Sequence, residues 1–241
     1  MRYSVSNSAE YGQLIRRLRV VGQETWATMQ GTAPTPGVGG AGAATPPPTA
    51  GTVKVGVLLA RRPEELGEWL ADAAAFEAAG ADALWVDPAP ESKLDPLALV
   101  AALAGLTSRA LLVATPPAAE EPSEALGLTL ATIGRLSHGR LGLAAEPGRL
   151  EELTGLAPGA AAFRRLPGEP AAFERLDEAE AAERWVRTPP PDGRAAWRTA
   201  LADAVTSGAG GLLVPAGPRL LDILRNPKDP DDRRDLQLAQ G

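Results

Sequence analysis

The sequence predicts an α/β domain built on a parallel βα repeat, and three observations carry that reading. From Val53 onward, short β-branched or apolar runs alternate with longer stretches whose apolar residues recur every three or four positions. Helix-start and helix-stop residues punctuate the change of period: Pro63 and Asp95-Pro96 at starts, Gly80 at an end. Three successive βα units run into a fourth strand, an order that requires a parallel sheet with right-handed crossovers.

Taken in chain order, VKVGVLL over 53–59 is the first strand. A helix follows over 63–80, with Leu66, Trp69, Leu70, Ala73 and Phe76 forming one apolar stripe. DALWV over 82–86 is the second strand. Asp95 caps the next helix and Pro96 takes its first position, where a missing N–H costs nothing. RALLVA over 109–114 is the third strand, 121–136 the third helix and RLGLA over 140–144 the fourth strand. Beyond Gly148 the periodicity weakens. A short helix over 150–153 and strands over 163–166 and 183–188 are the readings there. The pattern then sharpens into a helix over 194–205, the strand GLLVP over 211–215 and a helix over 218–225. Periodicity alone leaves a closed barrel and an open doubly wound sheet as equal outcomes. Trp69, Phe76, Leu84, Val86, Leu103, Leu112 and Ile133 are the expected core between sheet and helices.

Composition divides the rest of the chain. Residues 31–52 are almost all Gly, Ala, Pro and Thr, with nothing large to bury, so ordering them is not repaid; they read as a linker after a segment 1–30. The domain spans 53–225, and 226–241 is a charged tail. The net charge of −6 argues against general binding to nucleic acid or anionic membranes, both of which need a cationic surface. Cysteine is absent, which removes disulfides, thiolate metal sites and a Cys nucleophile. No apolar run has the length of a signal peptide or a spanning helix, so a cytoplasmic location is expected.

Several stretches resemble the luciferase-like, flavin- or deazaflavin-dependent monooxygenases. They are Gly80 to Asp87 (GADALWVD), Leu94-Asp95-Pro96-Leu97 with Thr107-Ser108-Arg109, Leu130 to Leu141 with its LSHGRL, and Glu151 to Gly155. The resemblance runs from Val53 to about Gly155, with a weaker echo at 211–224. It implies a TIM-barrel-like fold, which the span 53–241 would hold only in shortened or incomplete form, since a full barrel takes about 250 residues. It also implies FMN or a deazaflavin coenzyme over the C-terminal ends of the strands, a small-molecule substrate, and a homodimer as one admissible state.

The segment 1–12, MRYSVSNSAEYG, resembles the C-terminal part of ketol-acid reductoisomerases, where the serine matching Ser6 touches substrate. It departs from that pattern at 13–18 and brings none of the nucleotide-binding or metal-binding parts. It reads as a fused or relic piece.

The resemblance implies cofactor contacts at strand ends: Asp87 after the second strand, Ala114 and Thr115 after the third. The bland alternative is ordinary strand exits and a turn cap. The turn Pro215-Ala216-Gly217-Pro218 offers amides at Ala216 and Gly217 that could hold a phosphate, although such a βα turn is common. Glu146 stands where the family pattern is Gly-rich and would oppose an anion. The lone histidine, His138, lies in a turn on the stability side of the sheet. Asp177, Glu178 and Glu180 read as solvated, and no metal-ligand spacing occurs. Two functions stay open: a flavin- or deazaflavin-dependent oxidoreductase, and a catalytically inert relative serving as a binding or structural module.

Overall fold

The computed structural model describes residues 52–59, 65–86, 94–116, 123–167, 172–176 and 182–229. The chain divides into two units, Met1–Pro46 and Pro47–Gly241, and every described residue belongs to the second. The reductoisomerase-like segment, the linker up to Gly51 and the tail beyond Asp229 lie outside the described residues.

Eight strands close into one barrel in sequence order. They are β1 (Lys54–Leu59), β2 (Ala83–Val86), β3 (Leu111–Ala114), β4 (Leu141–Ala145), β5 (Ala161–Arg165), β6 (Ala172–Leu176), β7 (Glu183–Arg187) and β8 (Gly211–Pro215). Six described helices pack around them: α1 (Leu66–Ala78), α2 (Pro96–Leu106), α3 (Glu124–Leu136), α4 (Pro147–Leu156), α5 (Arg194–Thr206) and α6 (Pro218–Arg225).

Two expectations need correction. The sheet is not wholly parallel, because β6 runs antiparallel to both β5 and β7. Nor is the barrel incomplete: all eight strand positions are filled. The shortening comes from β5–β6–β7, where no described helix separates the strands. β6 itself, AFERL, went unread in the sequence because a five-residue strand with two adjacent charges resembles a solvated loop. The short helix expected over 150–153 is the longer α4, with Pro147 in its first turn.

The register fixes the barrel's geometry. Leu59 pairs with Val86, Val86 with Ala114, Ala114 with Leu143, Leu143 with Ala162 and Ala162 with Leu176. Carried on through the remaining pairs, the circuit returns to β1 displaced by eight residues. Eight strands with a stagger of eight is the geometry of TIM barrels, despite one reversed strand.

That stagger sorts the inward side chains into layers of four from alternate strands. One layer holds Gly56, Val113, Phe163 and Trp185; the next holds Trp85, Ala144, Phe173 and Leu213. Trp85 and Phe163 meet edge to face at 4.9 Å, and Phe163 and Trp185 at 5.8 Å. The rings fit only because their neighbours are small. A Cβ at Gly211 would lie 2.4 Å from the Trp185 ring, and one at Gly56 2.6 Å from Leu213. The barrel centre is therefore a packed aromatic plug and not a channel. The second core lies between strands and helices. It contains all seven residues expected there, from Trp69 and Phe76 to Ile133.

The helices end as their residues dictate. After α1 the Gly80 N–H donates to Glu77 O and the Ala81 N–H to Phe76 O, with Gly80 at φ 99. This is a Schellman stop, which needs a left-handed residue. After α3 the same pair of bonds recurs, but the left-handed position is His138, at φ 54. At the start of α2, Asp95 caps as expected, its carboxylate accepting from Leu97 N at 2.8 Å.

Candidate functional site

The two ends of the barrel are built differently, and most of the resemblance motifs fall at the N-terminal end. There the Glu77 carboxylate, only 8% exposed, accepts three consecutive backbone N–H groups, from Ser108, Arg109 and Ala110, at 2.6–3.1 Å. Arg140 donates to Thr107 Oγ1 and to the carbonyls of Thr107, Ala110 and Ala104. Burial pushes the Glu77 carboxyl up, but the three amides and the Arg140 charge outweigh it and hold it below its ordinary value. Burial lowers the Arg140 guanidinium, partly offset by Glu77. The Thr107-Ser108-Arg109 and Arg140 motifs thus pin α1, the α2–β3 turn and β4 together. Their role is structural. His138 lies at this end too, exposed in its turn, as its position in the sequence implied.

At the same end, Glu183 closes the barrel floor. Lys54 Nζ lies 3.0 Å and Arg175 3.7 Å from its carboxylate.

The other end, beyond the C-termini of the parallel strands, is where loops gather in such barrels and where chemistry is placed. The register sets one further inward layer above the aromatic plug: Leu58, Thr115, Arg165 and Arg187. Leu58 is buried, Thr115 and Arg165 are half-buried and Arg187 is exposed. Phe173 forms part of the floor, with the Arg165 guanidinium 5.4 Å from its ring centroid. Glu146, just past β4, reaches Arg165 Nε at 3.4 Å.

The expected site residues fare differently. Thr115 is at the mouth, its N–H donating to Val86 O at 3.2 Å. Ala114 closes β3, but its fully buried side chain packs in the outer core, toward the helices. Ala216 does not offer a free amide, because its N–H donates to Leu58 O at 2.8 Å and so extends the β8–β1 pairing. Gly217, the N-cap of α6, keeps open space where a Cβ would sit. Glu146, expected to oppose an anion, is held by Arg165. Asp87, Asp177, Glu178 and Glu180 lie outside the described residues. Among the described residues no cluster of metal-ligating side chains exists. No described helix is long and apolar enough to cross a membrane.

Sequence reasoning missed Arg165, Phe173 and Arg187. The signal was present in the alternation: in FRR and RWVR each arginine at the strand end stands two residues after a buried ring, and so on the same face.

No family model matches the sequence, and no curated protein matches it. Among solved structures, an EDTA monooxygenase from Chelativorans sp. BNC1 aligns with TM-score 0.36 and 18% identity, over 45% of this chain and 37% of that one. A riboflavin lyase, solved with modified FMN and its substrate riboflavin, aligns with TM-score 0.33 and 22% identity, over 45% of this chain and 33% of that one. The chain thus spans about a third of the length of either, and the barrel's description rests on its own strand pairing.

Proposed function

We propose that the barrel is a flavin- or deazaflavin-binding oxidoreductase domain of the luciferase-like type, acting on a small molecule. The observation that supports this best is the layout of the matched motifs. Their order and spacing in the sequence correspond to consecutive βα units of a barrel with TIM-like stagger. The mouth has a composition that fits such a cofactor. Leu58 and Thr115 offer an apolar and a small polar surface for a flat ring, and Arg165 and Arg187 favour an anionic ligand. Gly217 at the start of α6 adds a backbone donor.

When bound, the reduced cofactor would supply an electron pair to dioxygen, one oxygen atom then going to the substrate and the other to water. The protein's part is to hold and orient the ring, to keep water away from it with the plug beneath, and to neutralise negative charge. Thr115 is the residue on which the reading turns, since it is the small uncharged residue of the inward layer, two residues on from the packed Val113. Titration of the purified protein with FMN and with a deazaflavin coenzyme, followed by fluorescence quenching, tests the reading. Wild type should bind one of them, and Thr115→Trp should abolish binding by filling the ring site while leaving the melting temperature within a few degrees. Absence of binding by wild type to either cofactor sinks the oxidoreductase reading.

A further inference from the structure

We infer that Arg165 and Arg187 form an anion clamp at the centre of the barrel mouth, taking a phosphate or carboxylate group of the ligand. The inference needs only the barrel mouth and stands apart from the flavin reading.

Three observations converge. First, the register puts both arginines in one inward layer, on β5 and β7, separated only by the reversed strand β6. Arg165 pairs with Phe173, and Arg187 stands two residues on from Trp185, the partner of Phe173 on β7; arms of that length can converge on one anion. Second, their charge is only partly answered. Glu146 is the ion-pair partner of Arg165, and it is a loose one: at 3.4 Å from Nε it makes no hydrogen bond, and the Arg165 Nε–H is buried without an acceptor. The Arg187 guanidinium has no hydrogen-bonding or ionic partner among the described residues. Third, the rest of the layer, Leu58 and Thr115, carries no charge. Among the described residues of this layer, with Glu146 beside it, the balance is cationic, in a chain of net charge −6. At the opposite end of the barrel the inward cations Lys54 and Arg175 are answered by Glu183. The contrast marks the mouth as the end where positive charge is held ready for something outside the fold.

Buried N–H donors without acceptors cost stability unless a ligand satisfies them, and a planar guanidinium suits two oxygens of one phosphate or carboxylate. Glu146 then acts as a stand-in counter-ion, bound to Arg165 when the ligand is absent and displaced when it arrives.

The test uses the full chain in phosphate-free buffer, with inorganic phosphate, FMN and riboflavin as probes. FMN and riboflavin differ by one phosphate, so their affinity ratio reads whether the clamp grips it. Wild type should bind inorganic phosphate, and the double variant Arg165→Gln/Arg187→Gln should bind it at least about tenfold more weakly. Glu146→Gln should bind it a few-fold more tightly. The single arginine variants carry the same comparison if the double variant's melt shows that it does not fold. A preference for FMN over riboflavin that disappears in the double variant assigns the clamp to the cofactor's own phosphate. Arginine-dependent phosphate binding without that preference, or without any flavin binding, assigns it to an acidic substrate, and in the second case the flavin reading falls while the clamp stands. If wild type binds no phosphate, or if the double variant binds it as well as wild type does, the clamp is wrong, whatever the flavins do.

Discussion

The arc β1–β4 and the arc β5–β7 solve the same barrel in two ways. In the first, every strand is buried along nearly its whole length, because helices cover the outside and the plug fills the inside. In the second, only one or two residues of each strand are buried. Phe163, Phe173 and Trp185 point in, while Arg164, Glu174 and Arg184 dress the outer face, with Arg164 and Glu174 paired across β5 and β6. A parallel pair needs a long crossover, whereas an antiparallel pair needs only a hairpin. Reversing β6 therefore lets the chain drop two crossovers and still keep eight strands and the stagger. What a barrel of this size requires is matched inner layers. The outer helices are dispensable wherever the strand can present a polar face to water.

That contrast can be broken at its strongest point, the plug that both arcs share. Trp185→Ala should cost about 3–5 kcal/mol, measured by urea unfolding, even though Trp185 lies in the arc where no described helix separates the strands. A loss under about 1 kcal/mol would mean that the β5–β7 arc is not integral to the core. Phe76→Ala, between α1 and the sheet, should cost about as much, since Phe76 is 2% exposed.

The staple of the helical arc comes next. Glu77→Gln should lose about 1–3 kcal/mol, because an amide satisfies the three N–H groups poorly. Its pH dependence has a definite sign. The folded carboxyl titrates below its ordinary value of 4.5, so its stabilisation is fully present above that pH and is lost as pH falls through the folded value. Wild type should lose more stability than Glu77→Gln between pH 5 and the acid limit. Parallel acid-unfolding curves would remove the staple from the account.

Smaller still, His138→Gly should raise stability by about 0.5–1 kcal/mol, because glycine accepts the left-handed turn after α3 that strains a histidine. A thermal melt that moves down instead would assign His138 a contact of its own. The smallest effect belongs to the outer face of the second arc. Arg164→Gln should cost about 0.2–1 kcal/mol, fading with added salt. A larger, salt-insensitive loss would show that this face is not solvated.

What the sequence determined by itself is the helical arc. Strands buried on both sides read as apolar runs, and the helix signals are local: Asp95-Pro96 at a start, Gly80 at a stop. Each needs only its own neighbours to act, so β1 to β4, α5, β8 and α6 were legible to within a few residues. Thr115 at the mouth followed from its place at a strand end. The tertiary structure decided the rest. Whether the sheet closes depends on a stagger summed over eight pairings between distant segments, which no window of sequence contains. The direction of β6 depends on what its neighbours leave open, and five residues with two charges carry no such information. The commitment of the Ala216 amide to Leu58, and the approach of Glu146 to Arg165, arise only once β8 meets β1 and β4 meets β5. Arg165 and Arg187 share a face with buried rings in the sequence, but they share a layer only because the barrel closes around them.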